Sequence, residues 1–403
     1  MFFYKLHITV LIVKLLLTVA CAEFPMFDES KLLQKVLPQL PTFPEVAEKN
    51  GLRCEEYNIT TSDGYILRIF RIPGDVTRPV LLMHGLLDSS DGYIIREEGS
   101  IGMMLAQEGY DVWVGNNRGN RYSRNHVTLN PDKDECFWNY SFHEMSVIDL
   151  PEIIDLVLEK TGQSQLSAVG HSLGNTIFYV LGSKRPEYNN KIKVLVALAP
   201  IAYLQNMKGV SSISMNFATE LDVLAKEINY QEYAGHDSDS TVIARQICAI
   251  PKKGYEICSF LTFIGAGFDV LQLEPEFLTT LLNHFPAGTS RKTLIHLAQL
   301  GNRKEFAEYD YGNDTNLELY GSVNPPPYNL SKVTFDVVMY CGANDLVSTL
   351  EDVSILESQL PNVVKREVID YPLWNHLDHL YGSLIPEILG PLLKEILAKY
   401  NEE

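Results

Sequence analysis

Residues 166–184 read LSAVGHSLGNTIFYVLGSK. The first five residues form a short apolar run typical of a buried strand, whereas the segment from Asn175 has the apolar spacing of a helix. Between the two stands Gly170-His171-Ser172-Leu173-Gly174, a G-x-S-x-G motif. The glycines permit the strand and the helix to approach each other closely around a strained turn. A plain glycine-rich turn gives the same letters, but a serine at this place also predicts a nucleophile, Ser172.

Strand-like and helix-like segments alternate on both sides of this stretch. After a predicted β-hairpin over residues 55–72, continuous apolar runs typical of covered parallel strands recur. The pattern lapses between about residues 203 and 325, where helical stretches predominate. We therefore predict an α/β fold with a mostly parallel central sheet. Its core comprises residues 23–202 and 326–403, and a helical cap over residues 203–325 interrupts it. The predicted strands span residues 79–85, 110–116, 166–170, 193–200, 333–342 and 366–372, and the predicted helices span residues 101–109, 145–159, 175–184 and 386–400.

An activated serine needs an acid and a base that follow it in the chain. Asp345 comes just after a predicted strand, so it is expected at the carboxyl edge of the sheet, where ligand sites of α/β proteins lie. For the base, the spacing favours His376, a few residues beyond the last strand, but leaves His379 open as an alternative. If His379 is not the base, we expect it to be a capping or surface residue at the start of the last helical region. The weaker candidates for the acid are Asp336, Asp352 and Asp370.

Serine chemistry on a carbonyl also needs two preorganised N–H donors for the oxyanion. The segment His84-Gly85-Leu86 follows the predicted strand over residues 79–85. We expect the backbone amides of Leu86 and of Leu173, the residue after the serine, to be these donors. His84 is interpreted as an orienting residue and not as a base.

Composition and charge limit the class of protein. The chain has 403 residues, of which 46% are hydrophobic and 21% charged, with a formal net charge of −18. This is a globular composition that excludes a fully disordered chain. The acidic excess argues against nucleic acid as a partner. The cysteines and histidines lack metal-ligand spacing, so we predict no metal site.

The first 22 residues predict a cleaved signal peptide. They are strongly apolar, lack acidic residues and end in Ala20-Cys21-Ala22, which fits a signal-peptidase site before Glu23. Lys14 interrupts the apolar run and leaves a stretch too short to span a bilayer. No later segment approaches a spanning run, so we expect a secreted or lysosomal protein without a transmembrane span in the mature chain.

Cysteines and sequons agree with export. Cys248 and Cys258 are close enough in sequence to form a short disulfide loop, whereas Cys54, Cys136 and Cys341 read as buried or free thiols. The N-x-S/T sequons, which are candidate N-glycosylation sites, begin at Asn58, Asn139, Asn313 and Asn329.

The chain resembles the animal acid lipase family, which includes gastric and lysosomal acid lipases and belongs to the α/β-hydrolase superfamily. The resemblance covers about residues 30–395, and motifs of this length in this order are highly specific. The segments that carry it are EEYNITTSDGYILRIFRIP (55–73), LLMHGLLDSS (81–90), DVWVGNNRGNRYSRNHVTLNPDKDECFWNYSFHEMSVIDLP (111–151), NHFPAGTS (283–290), YGSVNPPPYNLSKV (320–333), GANDLVSTLEDV (342–353) and NHLDHLYG (375–382).

The resemblance implies an α/β-hydrolase fold with a helical cap, and it assigns Ser172 as nucleophile, Asp345 as acid and His376 as base. It implies hydrolysis of neutral lipid esters, triacylglycerols or sterol esters, at a lipid–water interface, without a cofactor. The Cys248–Cys258 pair falls where family members carry a cap disulfide. We expect a monomer. The alternatives are a short-chain carboxylesterase and a non-catalytic lipid-binding protein on the same fold.

Two residues depart from the family pattern. Leu173 stands where the family usually has Gln, so a polar side chain beside the oxyanion is lost while the backbone donor survives. Leu346 stands where the acid loop usually carries Trp after its Asp. We expect these departures to change rate, acyl specificity or pocket shape and to leave the three assigned residues unaffected.

Overall fold

A computed structural model describes residues 40–401 of the chain. The predicted signal peptide, with Cys21, lies outside the described residues. The strands are β1 (Glu55–Thr60), β2 (Ile66–Ile72), β3 (Asp75–Met83), β4 (Tyr110–Val114), β5 (Leu166–His171), β6 (Ile192–Leu198), β7 (Glu232–Tyr233), β8 (Thr289–Ser290), β9 (Asp336–Cys341) and β10 (Val363–Val368).

The central sheet has the order β1-β2-β4-β3-β5-β6-β9-β10. Strand β2 pairs antiparallel with β1 and with β4, and all other neighbours in this sheet pair parallel. The predicted hairpin and the predicted mostly parallel sheet are both confirmed. Because parallel strands end at one edge, the residues that follow β3, β5, β9 and β10 meet there.

Helices cover the sheet and fill the segment between β6 and β9. The α-helices are α1 (Phe43–Lys49), α2 (Ile101–Gln107), α3 (Leu150–Thr161), α4 (Leu173–Lys184), α5 (Gly209–Asn216), α6 (Ala218–Glu227), α7 (Asp239–Cys248), α8 (Lys253–Ala266), α9 (Pro275–His284), α10 (Arg291–Arg303), α11 (Asn313–Tyr320), α12 (Leu350–Gln359), α13 (Asp378–Tyr381) and α14 (Gly390–Asn401). Short 3₁₀ turns lie at Ser90–Tyr93, Glu97–Gly99, Glu135–Trp138, Pro186–Lys191 and Leu330–Lys332.

Both faces of the central strands are apolar. Because successive side chains of a strand point to opposite faces, these strands build a core on each side of the sheet. In β3, Leu81 and Met83 join one buried cluster and Val80 and Leu82 join the other. Helices α3 and α4 pack on the first side, and α2 and α14 pack on the second. Full burial of one such side chain contributes about 1.5–3 kcal/mol, so the continuous apolar runs stabilise a sheet covered on both faces.

The segment between β6 and β9 is mainly helical, from α5 to α11, with the short antiparallel pair of β7 and β8. Cys248 at the end of α7 forms a disulfide with Cys258 in α8, as the family resemblance implied. Cys54, Cys136 and Cys341 are free, and Cys341 is buried. Across residues 40–401, no helix combines the length and the apolar character needed to cross a bilayer.

The helix predicted over residues 145–159 begins irregularly. A single turn, Phe142–Glu144, is followed by the π-helical stretch Met145–Asp149 before α3 begins. Pro151 has no N–H and cannot donate to the carbonyl of Val147, four residues earlier. Arg185 Nη1 donates to that carbonyl instead, at 3.0 Å. A second π-helical stretch, Ile385–Leu389, directly precedes α14.

The junction between β5 and α4 is packed against the end of β3. A Cβ at Gly174 would lie 2.1 Å from the Met83 carbonyl oxygen, and a Cβ at Gly170 would lie 2.3 Å from Asn175 Oδ1. Real Cβ atoms do not approach backbone atoms this closely, so glycine is required at position 174. The glycines of the motif therefore set the distance between the strand, the helix and the neighbouring strand.

We expect Gly174→Ala to destabilise the protein by about 3 kcal/mol or more, because the atom that a new methyl meets belongs to a central strand that cannot move away. The matched control is Gly265→Ala in α8, where a Cβ would meet only Ser211 Oγ at 3.5 Å. Thermal unfolding of both variants measures the difference. Equal midpoints for the two variants would contradict the close packing at Gly174.

Candidate active site

Ser172 lies at a strained turn between β5 and α4. Its φ is +53° and its ψ is −119°, a conformation that costs a non-glycine residue roughly 1–3 kcal/mol. The Ser172 amide donates to the carbonyl of Leu198 at the end of β6, and the Ser172 carbonyl accepts from the amide of Asn175 in α4. These bonds fix the turn from both sides, so the side chain is held at the carboxyl edge of the sheet.

Three side chains predicted from the sequence form one hydrogen-bonded chain. His376 Nε2 lies 2.9 Å from Ser172 Oγ, and His376 Nδ1 lies 2.8 Å from Asp345 Oδ2. All three residues are buried. Because a carboxylate can only accept, Nδ1 carries the imidazole proton and Nε2 accepts from the serine hydroxyl. The arrangement is the acid–imidazole–hydroxyl geometry of a nucleophilic serine.

The Asp345 carboxylate is fixed on its other side by the backbone. Asp345 Oδ1 accepts from the amides of Val347 and Ser348, both at 2.8 Å. None of the alternative acids contacts His376. The Asp352 carboxylate accepts from the amide and the side chain of Asn206, that of Asp336 accepts from the hydroxyl of Tyr400, and Asp370 is exposed.

The end of helix α8 is bonded to two loops, the one after β9 that carries Asp345 (the acid loop) and the one after β10 that carries His376 (the base loop). The Ala266 carbonyl accepts from the amide of Leu346 and from the amide of His376, each at 3.3 Å. Ala266 is the last residue of α8, and the last carbonyls of a helix accept no hydrogen bond from within it. Leu346, one of the two departures from the family pattern, therefore takes part in this link through its backbone.

Two asparagines strengthen the same junction. Asn344 Nδ2 donates to the Phe268 carbonyl at 3.0 Å, and Asn375 Nδ2 donates to the Gly267 carbonyl at 3.2 Å. Gly267 has a φ of +128°, and a Cβ there would lie 2.2 Å from the Asn344 carbonyl oxygen. Sequence reasoning missed this contact. The signal available was the run Gly265-Ala266-Gly267 at the end of a helical stretch, because small residues permit close approach of backbones.

The two predicted oxyanion donors flank the serine. Leu86 and Leu173 line the same cavity as Ser172. Leu173 is the first residue of α4, so its amide has no acceptor within the helix. In the part of the chain that the structure describes, neither the Leu86 amide nor the Leu173 amide donates to another protein group. The oxyanion role predicted for these two amides therefore conflicts with no hydrogen bond among the described residues.

His84 holds the loop that carries Leu86. Its Nδ1 donates to the Gly85 carbonyl at 2.8 Å, and its Nε2 accepts from the Asn117 amide at 3.1 Å. Burial lowers the pKa of His84 to about 4, so the ring is neutral and both nitrogens are used by the backbone. This environment agrees with an orienting residue.

Two further histidines surround His376. His171 Nε2 donates to the His376 carbonyl at 2.9 Å, and burial lowers the pKa of His171 to about 3. The expectation that His379 is a capping or surface residue is wrong. His379 is fully buried, packs edge-on against Trp374 and has no hydrogen bond to either ring nitrogen within residues 40–401. Burial lowers the pKa of His379 well below its ordinary value.

A cavity of about 690 Å³ opens above Ser172 and His376, between the sheet edge and helices α5, α6 and α10. Its size is in the range of small-molecule sites. Most side chains in its wall are apolar, but the wall also contains the ion pair of Asp222 and Arg291. The apolar side chains that line it include Leu204, Met215, Leu221, Leu224, Ile228 and Leu297.

Comparisons with known proteins identify lipases as relatives of this chain. Residues 43–97 match a family described as a partial alpha/beta-hydrolase lipase region, and residues 78–234 match the alpha/beta hydrolase fold. Lipase 1 of Drosophila melanogaster is 35% identical over 380 residues, which cover 93% of this chain and 84% of that protein. Gastric triacylglycerol lipase of Rattus norvegicus is 36% identical over 351 residues, which cover 85% and 86%. The chain belongs to the animal acid lipase family.

As a member of this family, the protein is a carboxylic ester hydrolase. Lipase member K of Homo sapiens is 37% identical over 364 residues, which cover 87% of this chain and 89% of that protein. A putative lipase from Sulfolobus solfataricus has the same fold, with a TM-score of 0.57 at 14% identity and coverage of 91% and 97%. A soluble variant of monoglyceride lipase from Saccharomyces cerevisiae gives a TM-score of 0.53 at 14% identity, with coverage of 91% and 97%.

The buried His379 predicts a pH-dependent loss of stability. The folded protein keeps this ring neutral, whereas the unfolded chain takes up a proton as the pH falls below about 6.5. Its contribution to stability is therefore complete at higher pH and is lost towards acid pH. The unfolding free energy of His379→Phe minus that of wild type should therefore be about 2 kcal/mol larger at pH 5 than at pH 7. Urea denaturation at both pH values measures this increase, and an unchanged difference would contradict it.

Proposed function

We propose that the protein is a lipase that hydrolyses neutral lipid esters through an acyl-enzyme, with Ser172 as nucleophile, His376 as base and Asp345 as the orienting acid. The observation that carries the proposal is the bridge that His376 makes between Ser172 Oγ and the Asp345 carboxylate. Membership of the lipase family and the apolar cavity above the serine support it.

In the first half-reaction, Ser172 Oγ attacks the ester carbonyl carbon while His376 Nε2 takes the hydroxyl proton. Asp345 keeps the imidazole in the required tautomer and stabilises the imidazolium that forms. The tetrahedral intermediate collapses when the C–O bond to the alcohol breaks, and His376 gives its proton to that leaving oxygen. The acyl group remains on Ser172 Oγ.

In the second half-reaction, His376 Nε2 takes a proton from water, and the hydroxide oxygen attacks the acyl carbon. Ser172 Oγ leaves, recovers the proton from His376, and the free acid departs. In both halves, the amides of Leu86 and Leu173 bind the oxyanion, a role in which one donor contributes about 3 kcal/mol. Leu173 supplies only its backbone here, because its side chain cannot donate.

Several features support a water-insoluble ester as substrate. Leu221, Leu224 and Ile228 line the cavity and are also exposed, by 52%, 57% and 75%. The mouth of the cavity therefore has an apolar rim, which fits contact with a lipid–water interface. Gastric triacylglycerol lipase is among the relatives, so we propose triacylglycerols or sterol esters. The net charge of −18 does not oppose a neutral lipid.

Export is part of the proposal. A disulfide between Cys248 and Cys258 suits an oxidising compartment, and all four sequon asparagines are exposed. Together with the predicted signal peptide, these features support a secreted or lysosomal, N-glycosylated monomer with the helical cap over residues 203–325.

We expect Ser172→Ala and His376→Ala each to lower kcat by about 10⁴-fold or more. The matched control is Ser167→Ala, because Ser167 lies on the same strand, is buried, and has no hydrogen-bond partner for its hydroxyl within residues 40–401. The measurement is turnover of an emulsified triacylglycerol, with thermal unfolding to check the fold. An organophosphonate probe should label wild type and not Ser172→Ala. A folded wild type that resists labelling would favour the non-catalytic lipid-binding alternative.

Chain-length selectivity separates a lipase from a short-chain esterase. Ala298 in α10 lines the cavity. We expect Ala298→Phe to occupy acyl space and to lower the ratio of kcat/KM for long-chain over short-chain esters by about tenfold. Both esters use the same Ser172, so the short-chain ester is an internal control. A wild type that prefers soluble short-chain esters, with a ratio unaffected by the variant, would favour the esterase.

A further inference from the structure

Asp88 is a buried carboxyl next to the proposed oxyanion site. It lies two residues after Leu86, is only 4% exposed, and lines the cavity together with Ser172. Its Oδ1 accepts from the Ser89 amide at 2.7 Å, and its Oδ2 accepts from the Tyr381 hydroxyl at 2.6 Å. Within residues 40–401, no lysine, arginine or histidine forms an ion pair with this carboxyl.

Tyr381 connects this carboxyl to the base. It lies on the segment that begins with His376, five residues further along the chain, and its side chain is buried. A Cβ at Gly92 would lie 2.7 Å from Asp88 Oδ2 and 2.8 Å from the Tyr381 hydroxyl oxygen. The pair is therefore tightly enclosed, and neither group can turn away without displacing its neighbours.

We propose that Asp88 and Tyr381 form a positioning pair that fixes the Leu86 amide relative to His376, and that ionisation of Asp88 weakens oxyanion stabilisation. The proposal rests on the proposed roles of Leu86 and His376. The hydroxyl of Tyr381 in α13 joins the loop after β3 to the segment after β10. These two segments are far apart in the chain. A negative charge on Asp88 would repel the negative charge that develops on the substrate oxygen.

The surroundings of Asp88 place the titration of its carboxyl near neutral pH. Burial raises the pKa of Asp88 to about 7, the hydrogen bonds from Tyr381 and Ser89 oppose this rise, and the charge of Asp91 adds to it. Asp91 is itself paired with Arg121 at 2.7 Å and with His284 at 2.8 Å. The carboxyl is therefore neutral in acid and charged above a pH of about 7.

The titratable and charged groups around Asp88 come from several elements. They are Tyr381 of α13, Asp91 and Tyr93 of the 3₁₀ turn Ser90–Tyr93, His84 just after β3, Arg121 and, at the end of α9, His284.

Two variants separate the geometric role from the electrostatic one. Tyr381→Phe removes the link. Asp88→Asn removes the charge but can retain both hydrogen bonds, because an amide oxygen accepts from the Ser89 N–H and an amide nitrogen donates to the tyrosine oxygen. The matched control is Tyr179→Phe, because Tyr179 is buried in α4 and its hydroxyl has no partner within the described residues.

We expect Tyr381→Phe to lower kcat by about tenfold with KM changed less than about twofold, because the oxyanion donor is displaced while the cavity is intact. Tyr179→Phe should leave both constants unchanged. The ratio of kcat for Asp88→Asn to kcat for wild type should rise about tenfold between pH 5.5 and pH 8.5. Taking this ratio at each pH cancels any pH dependence that the two enzymes share. Active sites are counted with an organophosphonate, so loss of folded protein is not read as loss of kcat.

Two results would overturn the proposal. One is a ratio for Asp88→Asn that is flat with pH, and this measurement stands even when Tyr381→Phe does not fold. The other is a Tyr381→Phe enzyme with the kcat of Tyr179→Phe. The proposed function fails separately, through an inactive wild type or an active Ser172→Ala. An active wild type with a flat ratio therefore rejects only the role of Asp88.

Discussion

Ser172 has a φ of +53°, a conformation that a serine keeps only where the surrounding packing enforces it. The enforcement comes from close contacts that only glycine permits, at Gly170 and Gly174, and from the bond between the Ser172 amide and the end of β6. Relaxing this turn would move Oγ away from His376 and would move the Leu173 amide with it. The proposed nucleophile and one proposed oxyanion donor are consecutive residues of one strained turn, so a single constraint positions both.

The remaining groups come from distant parts of the chain, and the segment between β6 and β9 bonds to the loops that carry them. Ala266 and Gly267 at the end of α8 bond to the acid loop and to the base loop, and these two loops also bond to each other through the Asn344 amide and the Trp374 carbonyl. The end of α8 is thus part of the scaffold of the site.

Much of the fold and of the site could be predicted from the sequence, because the deciding features are local. The apolar run before Ser172 and the helical spacing after it are properties of neighbouring residues, and the same holds for the turn before Asp345. The burial of His379 could not be predicted, since it depends on Trp374 and His171, which local spacing does not report. The bond from Arg185 to the Val147 carbonyl in the π-helical stretch before α3 could not be predicted either, because Arg185 lies on another element. The link from Tyr381 to Asp88 joins residues that are far apart in the chain, so no motif contains it.

Burial also limits how the charge of the site changes with pH. Burial lowers the pKa of His84 to about 4 and that of His171 to about 3, so neither ring becomes charged beside the serine in mildly acidic solution. Burial raises the pKa of Asp378 to about 8, so that carboxyl is neutral over the same range. A site surrounded by neutral groups presents a low dielectric, in which the fixed N–H dipoles act strongly on an oxyanion. In this setting Asp88, with a pKa of about 7, is the neighbour whose charge changes when the solution passes from acid to neutral.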